Sequence, residues 1–243
     1  MASDWEVSEV NATKKTEWKP PIAHRFRGYL PVVIDIETGG FNAQTDAMLE
    51  IAVTLLDMDE DGTISIKETL SYNVLPFEGA NLEKAALDFT GIDPYAPERA
   101  AEDESDVLKE LLKIIRKEVK NNQCKRAIVV AHNASFDHQF LNAAVERCKI
   151  KRNPFHPFSS MDTATLAGFA YGHTVLAQAC RIANIPFDNS AAHTAAYDSE
   201  VTAQLFCKMV NQWRDFGGWD KALAGKERLA QNAADNASNK EES

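Results

Sequence analysis

The chain has little cysteine, a deficit of basic side chains and no long uninterrupted apolar run. Its 4 cysteines, Cys124, Cys148, Cys180 and Cys207, lie far apart and form no CxxC pair. That spacing argues against a disulfide framework and against a zinc site. Lys and Arg number 26 against 36 Asp and Glu, for a formal charge of −10. Such a balance excludes coating a polyanion by bulk attraction. A polyanion binds only where basic side chains cluster or bound cations reverse the field. Ala164 to Cys180 carries no charge, yet Gly168, Gly172, His173 and Gln178 break the stretch, and it is short for a membrane span. Asp4, Glu6 and Glu9 stand at the N-terminus without the apolar run of a signal peptide. The expectation is a cytoplasmic protein with no membrane segment.

What is present fits one large α/β domain of 243 residues with 44% hydrophobic residues. Residues 1–21 are polar and end in Pro20-Pro21, which reads as a flexible arm. Residues 22–220 form the expected domain, and the Ala/Asn/Lys/Glu-rich residues 221–243 a polar, disordered tail. No internal repeat is visible. Pro31 to Glu37 is a β-branched strand stopped by Thr38-Gly39-Gly40. Met48 to Leu56 and Ile64 to Leu75 read as two more strands joined at Asp61-Gly62, and Ala127 to Ala131 as a strand covered on both faces. Helical spacing is expected over Leu82–Phe89, Asp106–Val119, Phe136–Ile150, Thr163–Ala183 (broken near Gly172) and Thr194–Phe216. Three strands in a meander, then a strand alternating with helices, predict a mixed sheet flanked by helices, the order of the ribonuclease H-like fold.

Asp35 and Glu37 are two apart on a strand, so their carboxylates share a face. Two acids on one face of a buried strand repel unless something positive lies between them, and a hard divalent cation such as Mg²⁺ suits their oxygens. Alone, the pair reads more readily as an exposed strand end with two solvated acids. Asp137 follows in His132-Asn133-Ala134-Ser135-Phe136-Asp137, at a helix start. Asp198 follows His193 by five residues, which places His193 in a loop and Asp198 inside a helix. Asp162 precedes a helix and reads as its N-cap.

The ordered set of DxE, HNxxFD and HxxxxD resembles the DEDD exonuclease superfamily, in its DEDDh subgroup. The likeness extends through Phe26-Arg27-Gly28, Gly79-Ala80-Asn81-Leu82, Phe89-Thr90-Gly91-Ile92-Asp93-Pro94, Lys151 to Phe158 and Gly217-Gly218-Trp219. Over roughly residues 24 to 220 the chain is similar to the ribonuclease T family. The resemblance implies a 3′→5′ exoribonuclease in which Asp35, Glu37, Asp137 and Asp198 hold two Mg²⁺ (or Mn²⁺) ions. His193, with an ordinary imidazole pKa of about 6.5, would be the general base. Hydrolysis would release nucleoside 5′-monophosphates.

By the same resemblance Phe41, Phe89, Phe136 and Phe158 stack on the last bases, a contact tolerant of sequence that needs an unpaired strand. The chain departs from the pattern at Ala85, where an acidic residue is expected, which affects the choice of terminal base. Arg25, Arg27, Lys120, Arg126 and Lys151 would form a phosphate-binding patch facing the active site of the partner in a homodimer. Expected substrates are the short 3′ overhangs of tRNA and other stable RNAs, with single-stranded DNA as a further possibility. The rivals are a proofreading exonuclease subunit of a DNA polymerase, an oligoribonuclease, and an inactive RNA-binding module. The tail offers little apolar surface for a polymerase, the Phe-rich positions fit oligoribonuclease less well, and the complete acidic set speaks against an inactive module.

Overall fold

The computed structural model describes residues 20–218. The arm expected over 1–21 therefore lies outside it except for Pro20 and Pro21, and the tail expected over 221–243 lies outside it altogether. The sheet is built from β1 (Tyr29–Thr38), β2 (Met48–Met58), β3 (Ile64–Asn73), β4 (Arg126–Ala131) and β5 (Phe155–Asp162), in the order β3-β2-β1-β4-β5. The helices are α1 (Pro21–His24), α2 (Lys84–Thr90), α3 (Glu104–Asn121), α4 (Ser135–Arg147), α5 (Thr163–Tyr171), α6 (Leu176–Ile182) and α7 (Ala195–Asp215). None is long and apolar enough to cross a membrane among the described residues.

β1 is antiparallel to β2 and parallel to β4, so the sheet changes sense at its central strand. Val32, Val33, Ile34 and Ile36 are all buried, because a central strand meets helices on its faces and has no solvated edge. Helix α7 lies across β1, β2 and β3, while α3 and α4 pack on β1 and on the parallel strands. Small residues let α7 sit close to the sheet: Ala195, Ser199, Thr202 and Ala203 are buried, and the Ser199 hydroxyl meets that of Thr54 on β2 at 2.9 Å. This docking fixes where Asp198 points.

The mixed sheet agrees with the expected fold, and the chain has the α/β ribonuclease H-like architecture. The break in the expected Thr163–Ala183 helix falls at Gly172, whose φ of 72° ends α5 in the left-handed region. One strand is absent from the expected elements. β5 is an edge strand whose pairing with β4 jumps from Ala127–Phe155 to Val129–Ser160. The bulge absorbs Pro157, which cannot donate to a ladder, and it erases the alternation by which strands are recognised.

Candidate active site

Alternate positions near the C-terminal end of β1 put the Asp35 and Glu37 carboxylates on one face of the sheet. The β1–β4 ladder stops at Val33–Val130. Beyond it the amide of Ile36 needs another acceptor, and Asp137, in the first turn of α4, supplies one through Oδ1 at 3.1 Å. Asp137 is thereby locked against β1 beside the other two acids, and it is buried. Asp198 lies in the first turn of α7 and accepts the backbone N–H of His193 through Oδ2 at 2.9 Å. His193 is exposed in the preceding loop with a left-handed φ of 69°, unusual for a residue with a Cβ. Glu37, His193 and Asp198 each offer a ligand atom, and these atoms lie within 4.8 Å of one another. Asp162 does not join them: its Oδ1 caps α5 through the Ala164 amide at 3.0 Å and also accepts from the Asn133 amide.

A fifth carboxylate enters through the sheet register. Glu50 on β2 stands opposite Glu37 in the antiparallel pair and accepts the Ala195 amide at 3.2 Å, at the start of α7. It faces the site and also anchors the helix that carries Asp198. Nothing local in Met48-Leu49-Glu50 marks it; only the pairing of Glu50 with Glu37 reveals it.

The acids strain one another. Burial raises the Asp35 carboxyl well above its usual range, and Asp137, Glu37, Asp198 and Glu50 raise it further. Glu37 moves from 4.5 to about 7, again through burial first and then through Asp198 and Glu50. Asp137 moves up to about 8, because burial together with the charges of Glu37 and Asp162 outweighs its bond from Ile36. Burial also raises Asp198, partly offset by the bond from His193. Every charge acting on Asp35 and Glu37 is another carboxylate. Hard oxygen donors that repel one another in a half-buried cleft are the donor set a divalent cation relieves, so the residues present fit a metal.

Three of the four expected stacking rings are open to solvent: Phe41 at 82%, Phe89 at 67% and Phe158 at 79%. Phe136 is half-buried and meets Phe41 edge-on with centroids 6.3 Å apart. Phe89 packs on the His193 ring at 4.4 Å. Phe136 immediately precedes Asp137, and the His193 backbone bonds Asp198, so both ring contacts adjoin residues of the acidic cluster. The Phe158 ring meets His156 at 4.5 Å in the β5 bulge, and His156 in turn lies against Tyr29.

The basic residues gather at the opposite end of the parallel strands. Tyr29 pairs with Arg126, so the Arg25–Gly28 turn and the start of β4 are neighbours. Arg27, Lys120, Arg126 and Lys151 are exposed, and Arg27 leans over the Tyr29 ring. Arg25 differs: it is only 8% exposed and lines a cavity with Arg27, Met161, Phe206 and Trp213. Lys125, not singled out by its sequence context, runs its stem along Gly28 and joins this end. At ~3.3 Å per strand residue, Tyr29 and Asp35 are roughly 20 Å apart.

Residues 32–206 match the RNase_T family, described as Exonuclease. Ribonuclease T of Hahella chejuensis is 60% identical over 201 residues, covering 83% of this chain and 92% of its own. Ribonuclease T of Marinobacter nauticus is 62% identical over 199 residues, covering 82% and 90%. Among solved structures, the nuclease domain of 3′hExo, a DEDDh family member bound to rAMP, superimposes with a TM-score of 0.58 at 21% identity, covering 75% of this chain and 92% of its own. Escherichia coli exonuclease I with a dT13 oligonucleotide gives 0.57 at 16%, covering 79% and 43%. These two share the fold. With the acids gathered at the sheet's switch point and relatives identical at six positions in ten, the chain belongs to the ribonuclease T family of 3′→5′ exonucleases.

Proposed function

We propose that the chain trims RNA from its 3′ end one nucleotide at a time, acting on short single-stranded overhangs of tRNA and other stable RNAs. The observation that carries this reading is the meeting of four carboxylates, Asp35, Glu37, Asp137 and Asp198, with exposed Phe41 packed on Phe136 beside Asp137 and Phe89 packed on His193. Those four acids would hold two Mg²⁺ or Mn²⁺ ions. When bound, the ions supply charge stabilisation at the scissile phosphodiester and make water more acidic.

The chain's own residues do the rest. Asp137 keeps its orientation through the Ile36 amide, and Asp198 through that of His193. An imidazole nitrogen of His193, within 4.8 Å of the ligand atoms of Glu37 and Asp198, would take the proton from the attacking water. Phe41, Phe136 and Phe89 would stack on the last bases at about 1–3 kcal/mol each. Duplex bases already stack on each other and cannot splay onto the rings, so trimming would slow at a duplex. Phe158 would meet the strand farther along.

The start of β1 lies roughly 20 Å along the strand from Asp35. Arg27, Lys120, Lys125, Arg126 and Lys151 would hold substrate phosphates for the active site of a second copy, in a homodimer. The test is digestion of a 5′-labelled RNA hairpin bearing a short 3′ overhang, with Mg²⁺ and with EDTA. The expected result is a ladder of products shortened by single nucleotides, dependent on Mg²⁺ and halting near the duplex. Cleavage in EDTA, or cutting that proceeds into the stem at an unchanged rate, would overturn the reading.

A further inference from the structure

Asp46 is a buried acid that the chemistry above leaves unused. Only 1% of it is exposed, and no arginine or lysine is among its partners. Its Oδ2 accepts the Asn42 amide at 2.9 Å, and its Oδ1 accepts the Thr45 hydroxyl at 2.7 Å and the Asn81 side-chain amide at 3.0 Å. The Phe41 amide also donates to it. Burial pushes the carboxyl up, but the donors from Asn42, Thr45, Asn81 and Phe41 outweigh it and hold the group below its ordinary range. The carboxylate therefore stays charged inside the loop.

Two features tie this carboxylate to the aromatic rim. A Cβ on Gly40 would collide with it, so the residue before Phe41 has to be glycine for the loop to wrap this closely. The Asn81 segment that leads into α2 is stitched to the same loop: the Asn81 amide donates to Thr45 O at 2.8 Å, Ala47 N to Asn81 O at 3.2 Å, and Glu83 N to Gly39 O at 2.6 Å. Phe41 hangs from one of these strips and Phe89 from the other.

We propose that Asp46 is a positioning residue for substrate recognition. Its carboxylate sets the presentation of Phe41 and the spacing between the Phe41 and Phe89 platforms, so that the terminal bases of a single-stranded RNA meet two rings already in place. The inference rests on the reading of both rings as base-stacking. A loop anchor with no part in recognition would alter stability alone; a platform setter alters the grip on RNA and acts through the ring.

The test is a set of steady-state measurements on the overhang hairpin with Asp46→Asn, Phe41→Ala and the double variant, each matched for thermal stability. Asp46→Asn keeps the volume but turns an amide donor against the loop's donors. KM is expected to rise about tenfold, with kcat within about twofold. In the Phe41→Ala background the same change should add less than about twofold, because its effect passes through the missing ring. Should Asp46→Asn fail to fold, Asn81→Ala cuts only the side-chain bond from the α2 segment to Asp46 and leaves the backbone bonds in place, and its KM effect should likewise shrink when Phe89→Ala is already present. An unchanged KM in folded Asp46→Asn, or an effect that persists in full without Phe41, overturns the proposal. A Phe41→Ala variant with unchanged KM would instead sink the stacking reading, and this inference with it.

Discussion

The two ends of β1 show how one strand carries opposite electrostatic tasks. At its C-terminal end, Asp35 and Glu37 meet Asp137, Asp198 and Glu50, and backbone amides hold several of these acids in place. At its N-terminal end, the turn bearing Arg27 lies beside the exposed Arg126 and Lys125. The acidic end is half-buried and internally repulsive; the basic end is exposed and loosely held. About 20 Å of strand separates them, well beyond the ~8 Å screening length at physiological salt. In the proposed reading, bound metal would relieve the acidic end, and the basic end would hold the backbone of a nucleic acid.

The largest effect should follow from breaking the acidic end. Asp35→Asn removes the carboxylate most strongly opposed by its neighbours, and turnover should fall by at least about a thousandfold. Thermal stability in EDTA should hold or rise, since repulsion is relieved. A single-turnover assay beside a melt measures both.

Breaking the basic end should act on binding. Arg27→Ala with Arg126→Ala should weaken RNA binding roughly tenfold to a hundredfold at low salt and reduce the slope of log K against log salt by about 1 per lost contact. Anisotropy titrations across a salt series read this. The hydrolysis rate on a saturating substrate should change little.

A smaller effect separates the two ends by pH. Glu37 and Asp137 have folded-state pKa values of about 7 and about 8, raised from 4.5 and 3.8. A raised acid binds its proton more tightly when folded. Its stabilising contribution is thus complete below the unfolded pKa and is lost as pH rises through the folded value. The metal-free protein should accordingly lose stability between about pH 4 and pH 8. On the proposed reading Mg²⁺ would bind the ionised carboxylates, so the gap in melting temperature between Mg²⁺ and EDTA should widen over the same range. A gap independent of pH would show that these acids are not the ligands. The basic-end variant should keep the wild-type dependence.

The same contrast explains what the sequence made legible. The acids stand in short motifs at element ends, and the run from Val32 to Ile36 announces a buried strand, so Asp35, Glu37, Asp137 and Asp198 can be named from the order of residues alone. His193 alone reads as a surface histidine; it becomes legible through its place five residues before Asp198 in the motif that carries the family resemblance. Glu50 is not legible: its part in the cluster comes from cross-strand register, which no local pattern encodes. The basic end is partly legible. Arg27 and Arg126 draw attention as charges, but the burial of Arg25 and the approach of Lys125 to Gly28 depend on how the turn before β1 meets β4. β5 is hidden by its bulge and Pro157, and with it the contact of Phe158 with His156.

The most direct test of the proposed division of labour is complementation between subunits. An Asp35→Asn chain keeps the basic end and lacks catalysis; an Arg27→Ala, Arg126→Ala chain keeps the acids and lacks the phosphate grip. Each alone should be nearly inactive at low RNA concentration. Mixed and allowed to exchange subunits, they should regain a substantial part of wild-type kcat/KM, because the mixed dimer pairs one intact acidic end with its partner's intact basic end. Activity no greater than the sum of the two separate variants would contradict the account and place phosphate binding and catalysis on the same chain.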